Sequence, residues 1–221
     1  MERRFEEELH LLNRKLLWLA LTAEEAIRLA IESLENRDAA AARKVIEQDE
    51  KIDGMELEIE EYTLLLLAKY QPQASDLRFV TYAMKFTAEL ERIADLAVNI
   101  SEQSLKIMEQ PLLKPLVDIP KMSQISQEMV RDVINAFVSR DVSLAKKVIL
   151  ADQEVDRLHN QIQDELVYDY ISKEPSDAPR AIALLLVARH LERIGDHATN
   201  IAEDVIYMVN AEVVKHHPER L

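Results

Sequence analysis

Residues Leu90-Glu-Arg-Ile-Ala-Asp-Leu-Ala-Val-Asn-Ile-Ser-Glu102 and Leu191-Glu-Arg-Ile-Gly-Asp-His-Ala-Thr-Asn-Ile-Ala-Glu203 agree at nine of 13 positions. Two unrelated helices of similar composition would share about one or two. Upstream, residues 28–53 laid on 131–156 agree at ten of 26 positions, among them Arg37, Asp38, Asp49 and Asp53. The offset is 103 before the intervening turn and 101 after it, so the second turn is two residues shorter. The chain is two copies of one unit, and reading either copy reads the fold.

Each copy reads as three helices. Phe5, Leu9, Leu12, Leu16, Leu19, Ala23, Ala26 and Ala30 follow one another in alternating steps of 4 and 3, the seam of a helical bundle. Asn36-Arg37-Asp38 breaks that pattern, with Asp38 placed to cap a second helix that runs to about Tyr70, before Gln71-Pro72. Ser75-Asp76 opens a third helix, reaching about Glu109. The second copy repeats the plan, with a fourth helix ending near Ser139-Arg140-Asp141, a fifth near Ser172 and a sixth from about Arg180 to Val214. The prediction is an elongated all-α molecule of six long helices, built as two tandem pseudo-symmetric three-helix bundles. The first repeat covers residues 1–110, a Pro-rich linker 111–120 and the second repeat 121–221.

Composition closes other routes. The 221 residues are 48% hydrophobic and include two Gly and no Cys. So little Gly leaves almost no supply of hairpin turns or phosphate-cradling loops, and the lack of Cys rules out disulfides and thiolate chemistry. With 27 basic and 41 acidic residues the formal net charge is −14, which argues against nucleic acid or an anionic membrane as a partner. The longest apolar run, Ala181 to Ala188, is eight residues, where a membrane span needs about 20. Lys15 to Thr22 faintly resembles a signal-peptide core but follows Glu6-Glu7-Glu8, so the expectation is a soluble cytoplasmic protein.

The chemistry-bearing residues form ladders. Asp49, Asp53, Glu56 and Glu60 share one face of the second helix, and Asp152, Asp156, His159 and Gln163 share the same face of the fifth. Glu91, Asp95 and Asn99 on the third helix correspond to Glu192, Asp196 and Asn200 on the sixth. Like charges four residues apart destabilise a helix by a few tenths of a kcal/mol, yet the pattern occurs in all four helices. A solvated acidic face and pairing with arginines from neighbouring helices are two readings of it. The third is a cluster of oxygen ligands for a hard or borderline cation, with the ladders of paired helices facing each other. The third is favoured because neither Asp49 nor Glu91 has a Lys or Arg three or four residues away on its own helix.

Arg92 and Arg193, three residues before Asp95 and Asp196, are expected to orient those carboxylates. Gly195, where the first copy has Ala94, is expected to allow close helix packing beside the ladder. His159 is a weaker ligand candidate, and His197 is expected to face elsewhere. His10, His190, His216 and His217 read as ordinary surface or packing residues, and Trp18 as a packing anchor.

The paired Glu-Arg-Ile-Ala/Gly-Asp segments, the Gln71-Pro-Gln-Ala-Ser-Asp-Leu-Arg78 turn and the tandem architecture resemble the PhoU family of phosphate-uptake regulators over nearly the whole chain. The resemblance implies a non-enzymatic cytoplasmic regulator of the phosphate ABC transporter. Its implied partners are the transporter's ATPase subunit and a phosphate-sensing histidine kinase, with the phosphate-starvation response repressed. It implies membrane association only through those partners. It also implies metal, foremost multinuclear iron and otherwise zinc, manganese or another divalent cation. The ligands it carries over are Asp49, Asp53, Glu91 and Asp95, with Asp152, Asp156, Glu192 and Asp196 in the second copy. Glu56, Glu60, Asn99, His159 and Asn200 are weaker candidates. Because His159 and Gln163 replace Glu56 and Glu60, the two sites should be unequal. Broad amphipathic faces make a homodimer an expectation.

Two rivals come from other classes. A ferritin-like di-iron oxidase would need two Glu-x-x-His motifs, and only Glu7-x-x-His10 and Asp156-x-x-His159 come near that spacing. A metal-independent adaptor would use the same acidic faces to dock basic partners.

Overall fold

The computed structural model describes residues 2–215. Six α-helices carry the fold: α1 (Glu2–Asn36), α2 (Ala39–Tyr70), α3 (Ala74–Met108), α4 (Asp118–Ser139), α5 (Val142–Asp164) and α6 (Ala178–Asn210). No strand is present among the described residues. A helix of 35 residues such as α1 is about 50 Å long. Helices α1–α3 pack on one another, as do α4–α6, and α3 lies along α6 to join the repeats.

The duplicated Arg-Asp pair explains the first turn of each repeat. Arg37 and Arg140 adopt left-handed backbone with φ of 54° and 57°, a conformation that disfavours side chains by about 1 kcal/mol. Each lets the next N–H fold back on the preceding helix, Asp38 donating to Ser33 O and Asp141 to Ala136 O, both at 2.9 Å. The aspartates then cap the next helix. Asp38 Oδ1 accepts from Ala40 and Ala41 N–H at 2.9 and 3.1 Å, and Asp141 Oδ1 from Ser143 and Leu144 at 2.9 and 3.0 Å. In the first repeat the Arg37 guanidinium also donates to the carbonyls of Met108 and Gln110 at 2.8 Å, fastening the end of α3.

Leu12, Leu16, Leu19, Ala23, Ala26 and Ala30 of the α1 seam are buried as expected, while Phe5 and Leu9 are half-buried at its end. Trp18 departs from expectation. It is more than half exposed with the Lys51 ammonium 5.5 Å from its ring centroid, because it lies one residue, about 100°, off that seam. Between the repeats, Phe86 of α3 stacks on Phe137 of α4 at 4.0 Å, and Arg131 pairs with Glu24 at 3.0 Å.

One helix changes form before its expected end, and one boundary differs. The fifth helix widens into a π-helix over Glu165–Ile171, beginning where Glu165 receives the buried ammonium of Lys114 from the linker. Helix α6 stops at Asn210, four residues early, since Ala211 turns left-handed at φ 59° and Val214 folds back into the core. His216 and His217 lie outside the described residues.

Candidate metal centre

Helix α2 packs on α3, and α5 on α6, so the ladders meet in pairs. In the first repeat, burial raises the Asp49 carboxyl above its ordinary range, and the charges of Asp53 and Asp95 raise it further. Glu91, whose side chain is 15% exposed, is pushed up to about 7 by burial first and by Asp95 next, with Glu56 and Asp53 adding. Carboxylates of α2 and α3 therefore act on one another across the helix pair. Glu56 is raised as well, by burial and then by Glu60.

The second repeat repeats this arrangement. Asp152 is pushed up to about 7 by burial, then by Asp156, Asp196 and Glu192. Glu192, 12% exposed, is raised by burial and Asp196, and Asp196 by loss of hydration and Asp156. His159 lies at the same site, its imidazole lowered by burial and by Arg189, with Asp156 acting in the opposite sense.

Three carboxylate oxygens in these ladders are buried without a hydrogen-bond partner: Asp49 Oδ1, Asp152 Oδ1 and Glu192 Oε2. Asp49 and Asp152 are the duplicated pair, so the same orphan occurs in both repeats. A buried acceptor left without a partner costs about 1–3 kcal/mol. A cation in each repeat would satisfy them, and an all-oxygen set, with one adjacent imidazole in the second repeat, suits a hard or borderline ion. The residues present thus fit the group that the resemblance implies. As the side chains stand, no group of three or more His, Asp or Glu among the described residues is drawn together into a coordination shell. Asp95 and Glu192 are instead engaged by arginines of their own helices.

Arg92 contacts Asp95 at 3.1 Å and Glu91 at 3.5 Å, in the orienting role expected of it. In the second repeat the ion pair is instead made by Arg189, 2.5 Å from Glu192. Sequence reasoning missed Arg189, although its spacing of three before Glu192 was a usable signal. Arg193 is exposed and acts on Glu192 and Asp196 through its charge. Gly195 does more than permit packing: a Cβ there would stand 3.0 Å from Asp152 Oδ1, so the missing side chain gives that carboxylate its place.

His197 faces away from the ladder, across the repeat boundary, with its Nδ1 2.6 Å from Glu89 Oε2. Asn200 donates to the same oxygen at 3.4 Å, so this weaker candidate is directed to the boundary too. Asn99 and Glu60 are half-buried beside the first ladder, and Asp53 and Asp156 remain open to solvent.

Comparison with known proteins agrees with this architecture. Residues 16–104 and 119–205 each match the PhoU domain family. A phosphate-specific transport system accessory protein PhoU homolog of Aquifex aeolicus is 42% identical over 95% of each chain. A homolog of Thermotoga maritima is 36% identical over 96% of this chain and 91% of its own. The crystal structure of PhoU from Pseudomonas aeruginosa superposes with a TM-score of 0.91 at 34% identity, covering 94% of this chain and all 100% of that one. The phosphate transport system regulatory protein PhoU from Streptococcus pneumoniae gives 0.88 at 30% identity, over 95% and 99%. With its ladders, its internal repeat and both matched segments in register, the chain belongs to the PhoU family.

Proposed function

We propose that this protein is a non-enzymatic regulator of phosphate uptake and phosphate homeostasis. It works at the cytoplasmic side of a phosphate ABC transporter, by contact with the transporter's ATPase subunit and a phosphate-sensing histidine kinase, to hold the starvation response repressed. Each repeat holds metal on its ladder, through Asp49, Asp53, Glu91 and Asp95 in the first and Asp152, Asp156, Glu192 and Asp196 in the second. The relatives' names support the transport role. The observation that carries the metal reading is the buried carboxylate oxygen without a partner at Asp49 and again at Asp152. Among the described residues no helix is long and apolar enough to cross a membrane.

A metal-independent adaptor is the second reading, favoured by the ion pairs that Arg92 and Arg189 already make with Asp95 and Glu192. Metal content by mass spectrometry separates the two, on untagged protein purified without chelator beside a helical Asp49→Ala/Asp53→Ala/Asp152→Ala/Asp156→Ala variant. Stoichiometric metal in the parent, lost in the variant, supports the metal-bound regulator. No metal, even after reloading with iron, manganese or zinc, overturns it in favour of the adaptor. Pull-down of the ATPase subunit and kinase then tests the contacts themselves.

A further inference from the structure

We propose that the outer face of α2 is a docking seam for a basic amphipathic helix of a protein partner. Gly54, Leu57, Glu61, Leu64 and Ala68 follow one another in steps of 3, 4, 3 and 4, the spacing of a bundle seam. The buried face of α2 is already supplied by Ile52, Ile59, Thr63 and Leu66, so this is a second seam on the same helix. Leu57, Leu64 and the adjoining Leu65 are each more than half exposed. Together they present on the order of 300 Å² of apolar surface, a size that on soluble proteins marks interaction sites. At Gly54 an added Cβ would meet nothing within 4 Å, leaving a bare notch at one end. The second repeat keeps the acid as Asp164 but puts Asn160 where α2 has Leu57, and its Val167 lies in a π-helix, so the straight leucine seam belongs to α2 alone.

Charge selects the occupant. Glu61 sits within the seam and is exposed, and Asp53 and Glu60 line the flank toward α3. The cations on the other flank are turned toward α1: Lys51 stands over the Trp18 ring, and Lys69 pairs with Glu8 at 3.3 Å. Glu58 on that flank is held by Lys15 at 2.5 Å. The seam therefore offers leucines around an uncompensated acid. A second copy of this chain would set Glu61 against the same acids, and anionic headgroups would be repelled. A partner helix of about 15 residues, some 21 Å, with an apolar seam and Lys or Arg beside it, matches both features. This deepens the reading of the chain as a regulator working by protein contact, and it does not depend on the metal ladders.

The test uses a synthetic three-heptad peptide with Leu at the seam positions and Lys beside them, and a control with Glu in place of Lys. Both are titrated onto the full chain by calorimetry, with metal and with chelator. The Lys peptide should bind, and the Glu peptide should not. Leu57→Gln/Leu64→Gln, whose side chains are exposed and whose melting should match the parent, should weaken binding at least about ten-fold. Glu61→Lys should weaken it too and bring the Glu peptide within reach. Equal affinity of the Lys peptide for parent and Leu57→Gln/Leu64→Gln protein overturns the seam, because attraction to general acidity would then suffice. So does a parent dimer in sedimentation, or co-sedimentation with anionic vesicles, that the same substitutions abolish. A protein that binds no metal but passes these comparisons loses the ladder reading and keeps the seam.

Discussion

Gly195→Ala should stabilise the metal-free protein. Gly in a helix interior costs about 1 kcal/mol relative to Ala, and Gly195 lies buried in the middle of α6. Of the contacts its new methyl would make, Val155 Cγ1 at 3.5 Å and Met129 Cε at 3.6 Å are ordinary van der Waals neighbours. Only Asp152 Oδ1, at 3.0 Å, must yield, by a few tenths of an ångström. That oxygen is the far end of a side chain and has no hydrogen bond to lose. The first repeat carries a methyl at the equivalent place, with Ala94 fully buried. A net gain of about 0.5–1 kcal/mol follows, raising the melting temperature by roughly 1–4 °C for a chain of this length. Gly195→Val should reverse the sign, because its branches drive into Val155 and Met129 and overpacking costs about 1–3 kcal/mol. Thermal unfolding by circular dichroism in chelator measures both variants. A loss of more than about 1 kcal/mol for the Ala variant would show that Asp152 is fixed in place, and would refute the argument.

Three further outcomes follow from the same structure. Metal-free Glu91 and Asp152 keep their protons up to about pH 7 against about 4 when unfolded. The folded state binds more protons in that window, so these groups' contribution to stability falls as pH rises through 7. His159 and His190, lowered by burial, act oppositely only below about 6.5. Chelated protein should therefore melt higher at about pH 6.5 than at 8, and Glu91→Gln/Asp152→Asn should flatten the slope; an unchanged slope in that variant contradicts the assignment. Lys114 is 6% exposed and Glu165 31%, so Glu165→Gln, which strands the ammonium, should cost about 1–3 kcal/mol and more than Lys114→Met in urea unfolding. Asp38→Ala and Asp141→Ala should each cost about 1 kcal/mol and add in the double variant, with strong non-additivity as the contrary result.

The ladders were legible in sequence because spacings of 4, 7 and 11 put residues on one helix face whatever surrounds them. The duplication then supplied the pairing of α2 with α3. What lay hidden depends on rotation between helices, which spacing along one helix does not record. His197 meets Glu89 across 108 positions only because α6 lies along α3 in one particular rotation. Arg189 has no counterpart in the first repeat, where Ala88 stands, so comparison of the copies passed over it. Trp18 was misjudged because apolar character ranks it beside Leu19, whereas one helical step separates core from solvent. The π-helix at Glu165–Ile171 adds no residue type of its own, and no local signal announces it.

The boundary between repeats has a consequence for how the two halves can diverge. In a dimer of identical subunits every substitution appears twice, once on each side of the axis, and each must be tolerated in both places. Here position 197 carries a histidine that grips Glu89, while across the pseudo-axis Leu96 stands in place of His197 and His190 in place of Glu89. Covalent linkage in one polypeptide frees each half to vary alone. One half can be tuned as the tighter or more acidic partner while the other serves a different ion or a different contact, with no change in how the halves fit.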